Sequence, residues 1–182
     1  MELDNIIYPG FNKTLSELNA ISKIKKKSCE IVDLTEIEWV RDVLRHRVEE
    51  VGTYDIKFRK PTDEEIKSAS EIVGADINID ELKNNFHKNK RIIGITSGKG
   101  GVGKSTITSL LGIAFDELGK KVGIMDSDIW GYSVPKILGA KFPPIPFNER
   151  IFPSRINNLN VISMDYFVKQ DEAVIWRGPM LH

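Results

Sequence analysis

Apolar residues follow two different periods along this chain of 182 residues. Ala20 to Lys26 and Ser28 to Leu34 are short runs meeting near Lys27, and the second carries Cys29, Ile31 and Val32. Such runs predict two strands joined as a hairpin. From Glu36 to Glu50 the spacing changes: Trp39, Val40, Val43, Leu44 and Val48 share one helical stripe, and Gly52 stands just past its end. Tyr54, Ile56 and Phe58 then alternate as a strand does. These elements predict a small α+β domain over residues 1–60, near the lower size limit for independent folding.

Residues 61–90 are rich in charge and Asn, with scattered apolar positions, and read as a partly helical linker. Thr62 followed by Glu65 forms a capping box behind Pro61, and Gly74 stands where that helix would stop. Beyond it the pattern changes again. Arg91 to Ser97, with Ile92, Ile93 and Ile95, predicts a buried strand, Ser105 to Leu118 a helix stopped by Gly119, and Val122 to Met125 a second strand ending at Asp126 and Asp128. Asn160 to Met164 offers a further strand. Residues 91–182 therefore read as an α/β unit of the parallel kind.

Between the strand at 91–97 and the helix lies Gly98-Lys99-Gly100-Gly101-Val102-Gly103-Lys104-Ser105, which satisfies the phosphate-loop pattern G-x-x-x-x-G-K-[ST]. Strand, loop, helix and strand in that order are the setting the motif requires. Gly98, Gly100, Gly101 and Gly103 let the backbone approach an anion and take positive φ, so that N–H groups converge on phosphate at a helix start. Lys104 supplies a charge for the β- and γ-phosphates of ATP, and the Ser105 hydroxyl is placed to ligate Mg²⁺.

Composition narrows the class without naming a partner. Twenty-six basic residues balance twenty-six acidic ones, so no general field draws in nucleic acid or an anionic membrane. The acidic start has no apolar run behind it, and no stretch approaches the ~20 apolar residues that span a bilayer. A single cysteine excludes an internal disulfide and fits a reducing compartment, so a cytoplasmic protein is expected. Cys29, between charged neighbours on a strand, reads as a packed side chain; His46, His87 and His182 form no metal constellation.

Lys99 adds a second signature. The form K-G-G-x-G-K-[ST] over Gly98 to Thr106 resembles the deviant Walker A ATPases, and the resemblance implies a homodimer in which Lys99 reaches the phosphates held by the partner subunit. Read without the resemblance, Lys99 is a solvated loop charge. In "MDSDIWGYSVPKILG" the same family's D-x-D-x-x-G-x-S pattern is complete, which implies that Asp128 orients or activates the attacking water and that Asp126 supports the magnesium shell. The plain alternative is a pair of strand-end carboxylates that cap the following turn.

"IIGITSGKGGVGKST", "VGIMDSDIWGYSVPKILG" and "DEAVIWRGPM" together resemble the Mrp/ApbC family of ATP-dependent iron–sulfur cluster carriers from about Arg91 onward. "YPGFNKTLSELNAISKI" is similar to the opening of the small domain that many Mrp-type proteins carry ahead of their ATPase. That segment departs from the pattern, with Tyr8-Pro9-Gly10 in place of Asp-Pro-Glu and Leu34-Thr35-Glu36 in place of a threonine-and-cysteine segment. Trp176-Arg177-Gly178-Pro179 resembles a family segment near the nucleotide, or is a core tryptophan beside a turn. The resemblance implies iron–sulfur apoproteins and assembly factors as partners, with ATP and Mg²⁺ as ligands. Neither the family's Asp-x-Pro-Pro-Gly switch nor its Cys-x-x-Cys cluster ligands occur in this sequence. The expectation is therefore the N-terminal portion of a longer carrier, fragment or truncated product, with an incomplete doubly wound sheet and a [4Fe–4S] cluster held only by the full-length parent. Rival readings are a partition- or septum-positioning ATPase and a non-catalytic binding module.

Overall fold

The computed structural model describes residues 2–25, 28–75, 90–128 and 131–167. They form a mixed α/β structure in two compact units, the first of Met1–Ile92 with Ile145–Phe152, the second of Ile93–Pro144 with Pro153–His182.

In the first unit, β1 (Ile7–Tyr8) and β2 (Lys13–Thr14) form a short antiparallel pair. Strands β3 (Ile21–Lys25), β4 (Ser28–Val32) and β5 (Asp55–Arg59) make a sheet with β4 in the middle, antiparallel to β3 and parallel to β5. A parallel pair needs a crossover, and α1 (Glu38–Glu49) supplies it. Val40, Leu44 and Val48, four residues apart, bury completely along one line of that helix. The helix begins later than the apolar stripe suggests because Asp33 holds the turn before it. One Asp33 oxygen accepts the Glu36 N–H at 3.0 Å and the other pairs with Arg41 Nε at 2.6 Å, while Glu36 takes a positive φ of 54°. Beside this turn the Tyr8 hydroxyl accepts the Leu34 N–H at 2.9 Å. Burial, and then the Asp33 carboxylate, push that phenol well above its ordinary range.

Helix α2 (Asp63–Val73) shows the capping box: Thr62 Oγ1 accepts the Glu65 N–H at 3.3 Å and Glu65 Oε2 accepts the Thr62 N–H at 2.9 Å. Gly74, at φ 73°, closes it in the left-handed conformation. The first unit also takes in a hairpin from much later in the chain, β7 (Ile145–Phe147) with β8 (Arg150–Phe152). Its two-residue turn, Asn148-Glu149, has positive φ at both positions, which suits the twist of flanking strands. Ile145 and Phe147 join the core, and the Phe11 ring lies 5.0 Å from both Phe147 and Phe152. Nothing in the local pattern of residues 145–152 points to this destination.

The second unit contains α3 (Lys104–Glu117), β6 (Gly123–Asp126), α4 (Val134–Leu138), β9 (Ser154–Ile156) and β10 (Leu159–Ser163). Its sheet has β10 in the middle, parallel to β6 and antiparallel to β9. Helix α3 lies on it closely enough that a Cβ added at Gly112 would come within 2.6 Å of Ile124 Cδ1. Ile124, Val134, Leu159 and Val161 form the core. The strand expected over residues 91–97 is not one here. The segment makes no ladder among the described residues, and Ile92 and Ile93 are 69% and 58% exposed. An apolar β-branched run sets a preference for extended backbone, but a strand needs a paired neighbour, and the described β6 pairs with β10 alone.

Candidate nucleotide site

The loop from Ser97 to Gly103 projects into solvent, and nothing lies within 4 Å of a Cβ built at Gly98, Gly100, Gly101 or Gly103. That open space is what an incoming phosphate requires. Positive φ is taken at Gly101 (72°) and Gly103 (90°), the latter being the N-cap of α3; Gly98 and Gly100 do not use it. Within the loop the Lys99 N–H donates to Ser97 Oγ at 3.2 Å. Thr108 Oγ1 donates to the Lys104 carbonyl at 2.9 Å and Ser109 Oγ to the Ser105 carbonyl at 2.8 Å, so side chains of the second turn brace the first. The N–H groups that open a helix have no intrahelical acceptor and carry the positive end of its dipole, so this end of α3 favours an anion.

Lys104 is the first residue of α3 and Ser105 the second, both half-buried. Lys104 Nζ lies 3.9 Å from Asp128 Oδ2, across from the end of β6. The structure thus brings together the loop lysine and the carboxylate of the second motif, which are 24 positions apart in sequence. Lys99 and Val102 in the loop and Thr106 in the first turn of α3 are exposed.

Asp126 and Asp128 differ in environment. Asp126 is buried at 8% exposure, and its Oδ2 accepts the Ser133 N–H at 3.0 Å, the Val134 N–H at 3.2 Å and Ser163 Oγ at 3.4 Å. Its Oδ1 accepts the Asp128 N–H at 3.4 Å. Asp128 is half-buried and its Oδ1 accepts the Gly131 N–H at 3.1 Å. Ser133 and Ser163 were not singled out by motif reading for these roles. The signals that bear on them are Ser133 just before Val134-Pro135, a helix start with proline in its first turn, and a serine at the end of an apolar run.

Cys29 is buried at 1% exposure, and burial, then the Asp55 carboxylate, push its thiol up. A buried thiol held in its neutral form is a poor metal ligand. His46 is exposed on α1 beside Glu50. Among the described residues no group of three or more His, Cys, Asp or Glu side chains is placed to hold a metal ion. His87, His182 and the Trp176-Arg177-Gly178-Pro179 segment lie outside the described residues.

A glycine loop opening a helix, with a lysine at its first turn facing a strand-end carboxylate, defines a P-loop nucleotide-binding unit. Comparison with known proteins makes the class specific. The model of the NUBPL iron-transfer P-loop NTPases matches residues 88–182, just over half of the chain, and the chain belongs to that family. It is 46% identical over 89 residues to the iron–sulfur cluster carrier protein of Bacillus subtilis, an alignment covering 49% of this chain and 25% of the relative. Over 91 residues it is 50% identical to the protein of the same name from Rickettsia bellii, covering 50% of this chain and 29% of the relative. A longer match, 32% identical over 188 aligned positions, covers 94% of this chain and 52% of the iron–sulfur cluster carrier protein of Aquifex aeolicus. The chain thus spans about half the length, or less, of these relatives. No solved structure matches it.

Proposed function

We propose that this chain is the nucleotide-binding portion of an ATP-hydrolysing carrier that receives iron–sulfur clusters and passes them to apoproteins. In this reading a doubly wound P-loop unit is preceded by a small α+β domain, and two copies meet through their nucleotide sites in the cytoplasm. The observation that carries it is the placement of Lys104 beside Asp128 behind an open glycine loop. The amides at the start of α3 and the Lys104 ammonium bind the phosphates, and Lys99, exposed on the loop, extends toward the phosphates of the partner subunit. Asp128 orients the attacking water, with Lys104 close enough to hold its carboxylate toward the γ-phosphate.

The donor set fits a magnesium ion. Mg²⁺ is a hard cation that takes a few protein oxygens and keeps several waters, and Ser105 Oγ with an Asp128 oxygen supply two such donors. When bound, it would neutralise charge on the β- and γ-phosphates. The cluster is cargo rather than a resident cofactor. A [4Fe–4S] centre takes four thiolates, and two copies of this chain bring only two cysteines, each the buried Cys29.

Nucleotide binding is tested on the full chain by calorimetry with ADP and Mg²⁺. Lys104→Ala removes a charge-assisted contact of about 1.5–3 kcal/mol, or about 10- to 150-fold in affinity. Unchanged affinity in the variant would remove the assignment.

A further inference from the structure

The resemblance gives Asp128 the attacking water and Asp126 the magnesium shell, and the structure gives the two carboxylates different surroundings. A carboxylate offers about four lone-pair sites. The Ser133 N–H, the Val134 N–H and Ser163 Oγ meet Asp126 Oδ2 at 3.0, 3.2 and 3.4 Å, and the Asp128 N–H meets Oδ1 at 3.4 Å. At 8% exposure little water reaches the group, Oδ2 is filled by three donors from the protein, and Oδ1 meets the Asp128 N–H. Asp128 is different: it keeps one oxygen facing Lys104 while the other receives the Gly131 N–H.

The four donors come from separate places in the chain. Asp126 ends β6, Ser163 ends the paired β10, Ser133 and Val134 open α4, and Asp128 lies two residues on. A single buried carboxylate therefore ties together the ends of two parallel strands, the start of the next helix and the backbone of the residue that faces the loop lysine. We propose that Asp126 is a positioning residue: it fixes the Asp128 backbone and the return of the chain into α4, and it is not itself a ligand of the metal. This rests on the nucleotide-site reading above, and it assigns the metal-facing role to Asp128 and Ser105 alone.

Two measurements on the full chain test it. The first needs no ligand: hydrogen exchange at the amides of Asp128, Ser133 and Val134. Asp126→Ala should speed exchange at all three, by about 10-fold for the loss of a buried charge-assisted acceptor. Asp126→Asn, which keeps one acceptor oxygen and the side-chain shape, should restore part of the protection. Unchanged exchange in Asp126→Ala overturns the brace. The second is the Mg²⁺ concentration that half-saturates ADP binding, measured in a cycle of Asp126→Ala, Asp128→Ala and the double variant.

If Asp126 acts through Asp128, each single change raises that concentration and the double change raises it by less than the product of the two. Asp126→Asn keeps an acceptor for the Ser133 and Val134 amides but sets its NH2 against the Asp128 N–H, so it should raise that concentration, by less than Asp126→Ala does. Independent, multiplying effects, or a large rise in Asp126→Asn with native exchange protection, would make Asp126 a metal ligand and overturn the proposal. Absence of any Mg²⁺-dependent ADP uptake by the native chain overturns the nucleotide reading, and the positioning role falls with it. The exchange arm then still reports whether the brace exists.

Discussion

Phe147→Ala probes the least expected feature of the fold, the return of residues 145–152 into the core of the first unit. Phe147 is 6% exposed, its ring is 5.0 Å from Phe11 and 6.3 Å from Phe152, and it belongs to the same apolar cluster as Tyr8 and Leu15. Truncating a buried phenylalanine removes transfer energy and leaves a cavity, together about 3–5 kcal/mol. Against total stabilities of about 5–15 kcal/mol for a domain, that is a large share. It corresponds to a fall in Tm of at least ~12 °C at ~4 °C per kcal/mol for a unit of this size. The assay is urea and thermal unfolding of the full chain followed by circular dichroism. Ile151→Thr is the control. It lies on the same hairpin at 54% exposure, and a β-branched replacement there should change stability by no more than about 0.5 kcal/mol. Equal effects of the two changes, or a loss below about 1 kcal/mol for Phe147→Ala, would show that the hairpin does not complete that core.

Glu65 is held down to about 2 by its paired hydrogen bonds with Arg59, and then by the Thr62 N–H. A depressed carboxyl adds stability that is full above its unfolded value of about 4.3 and fades as pH falls toward 2, and with 29% of the side chain exposed the effect is about 1 kcal/mol after screening. Acid titration of Tm should therefore fall less steeply between pH 4.5 and 2 for Glu65→Gln than for the native chain, and parallel curves would refute the pairing. Cys29, buried with its thiol pushed up, should react with a thiol reagent only as fast as the first unit opens; labelling at the rate of a free thiol would place it at the surface. Lys99→Ala should leave ADP affinity near native while removing ATP-dependent dimerisation in sedimentation, and a variant that still dimerises would end the trans-acting role.

What the sequence made legible was local. The capping box at Thr62 and Glu65, the stop at Gly74, the buried line of Val40, Leu44 and Val48, and the glycine loop entering a helix all rest on contacts within a few residues. The motifs put Lys104 and Asp128 each near the nucleotide, and their 3.9 Å approach comes from the fold rather than from periodicity. What escaped was settled by distant partners. Residues 145–152 carry the alternation of any short hairpin, and distant partners, Gly10, Phe11, Ser70 and Ala75 among them, decide where it docks, through close packing on Ile145, ring packing, and the contacts of Asn148 with Ser70 Oγ and Arg150 with the Ala75 carbonyl. Helix α1 lies within the expected span and begins two residues into it, because Asp33 reaches Arg41, eight residues on, and holds the preceding turn.

The apolar residues of the second unit carry one more step. Helix α3 has Ile107, Leu110, Leu111 and Ile113 between 38% and 59% exposed, while Ser109 and Gly112 face its core. Met125 on β6 is 77% exposed, and Ile93 lies open before the loop. A helix with several large apolar residues on its solvent side is written for further burial, and the runs of a parallel sheet are likewise written for cover on both faces. Isolated exposed apolar residues need no explanation, but a contiguous set on a helix and the adjoining strand marks a surface that meets another apolar surface. The two halves of the chain therefore differ in kind. The first unit buries most of its large side chains in one core, whereas the second holds its nucleotide loop on a helix and strand that leave several large apolar side chains exposed. It should accordingly bind a hydrophobic dye and scatter light at concentrations where variants carrying Leu110→Glu and Ile113→Lys stay clear. Equal dye binding by native chain and variants would show that these faces are covered.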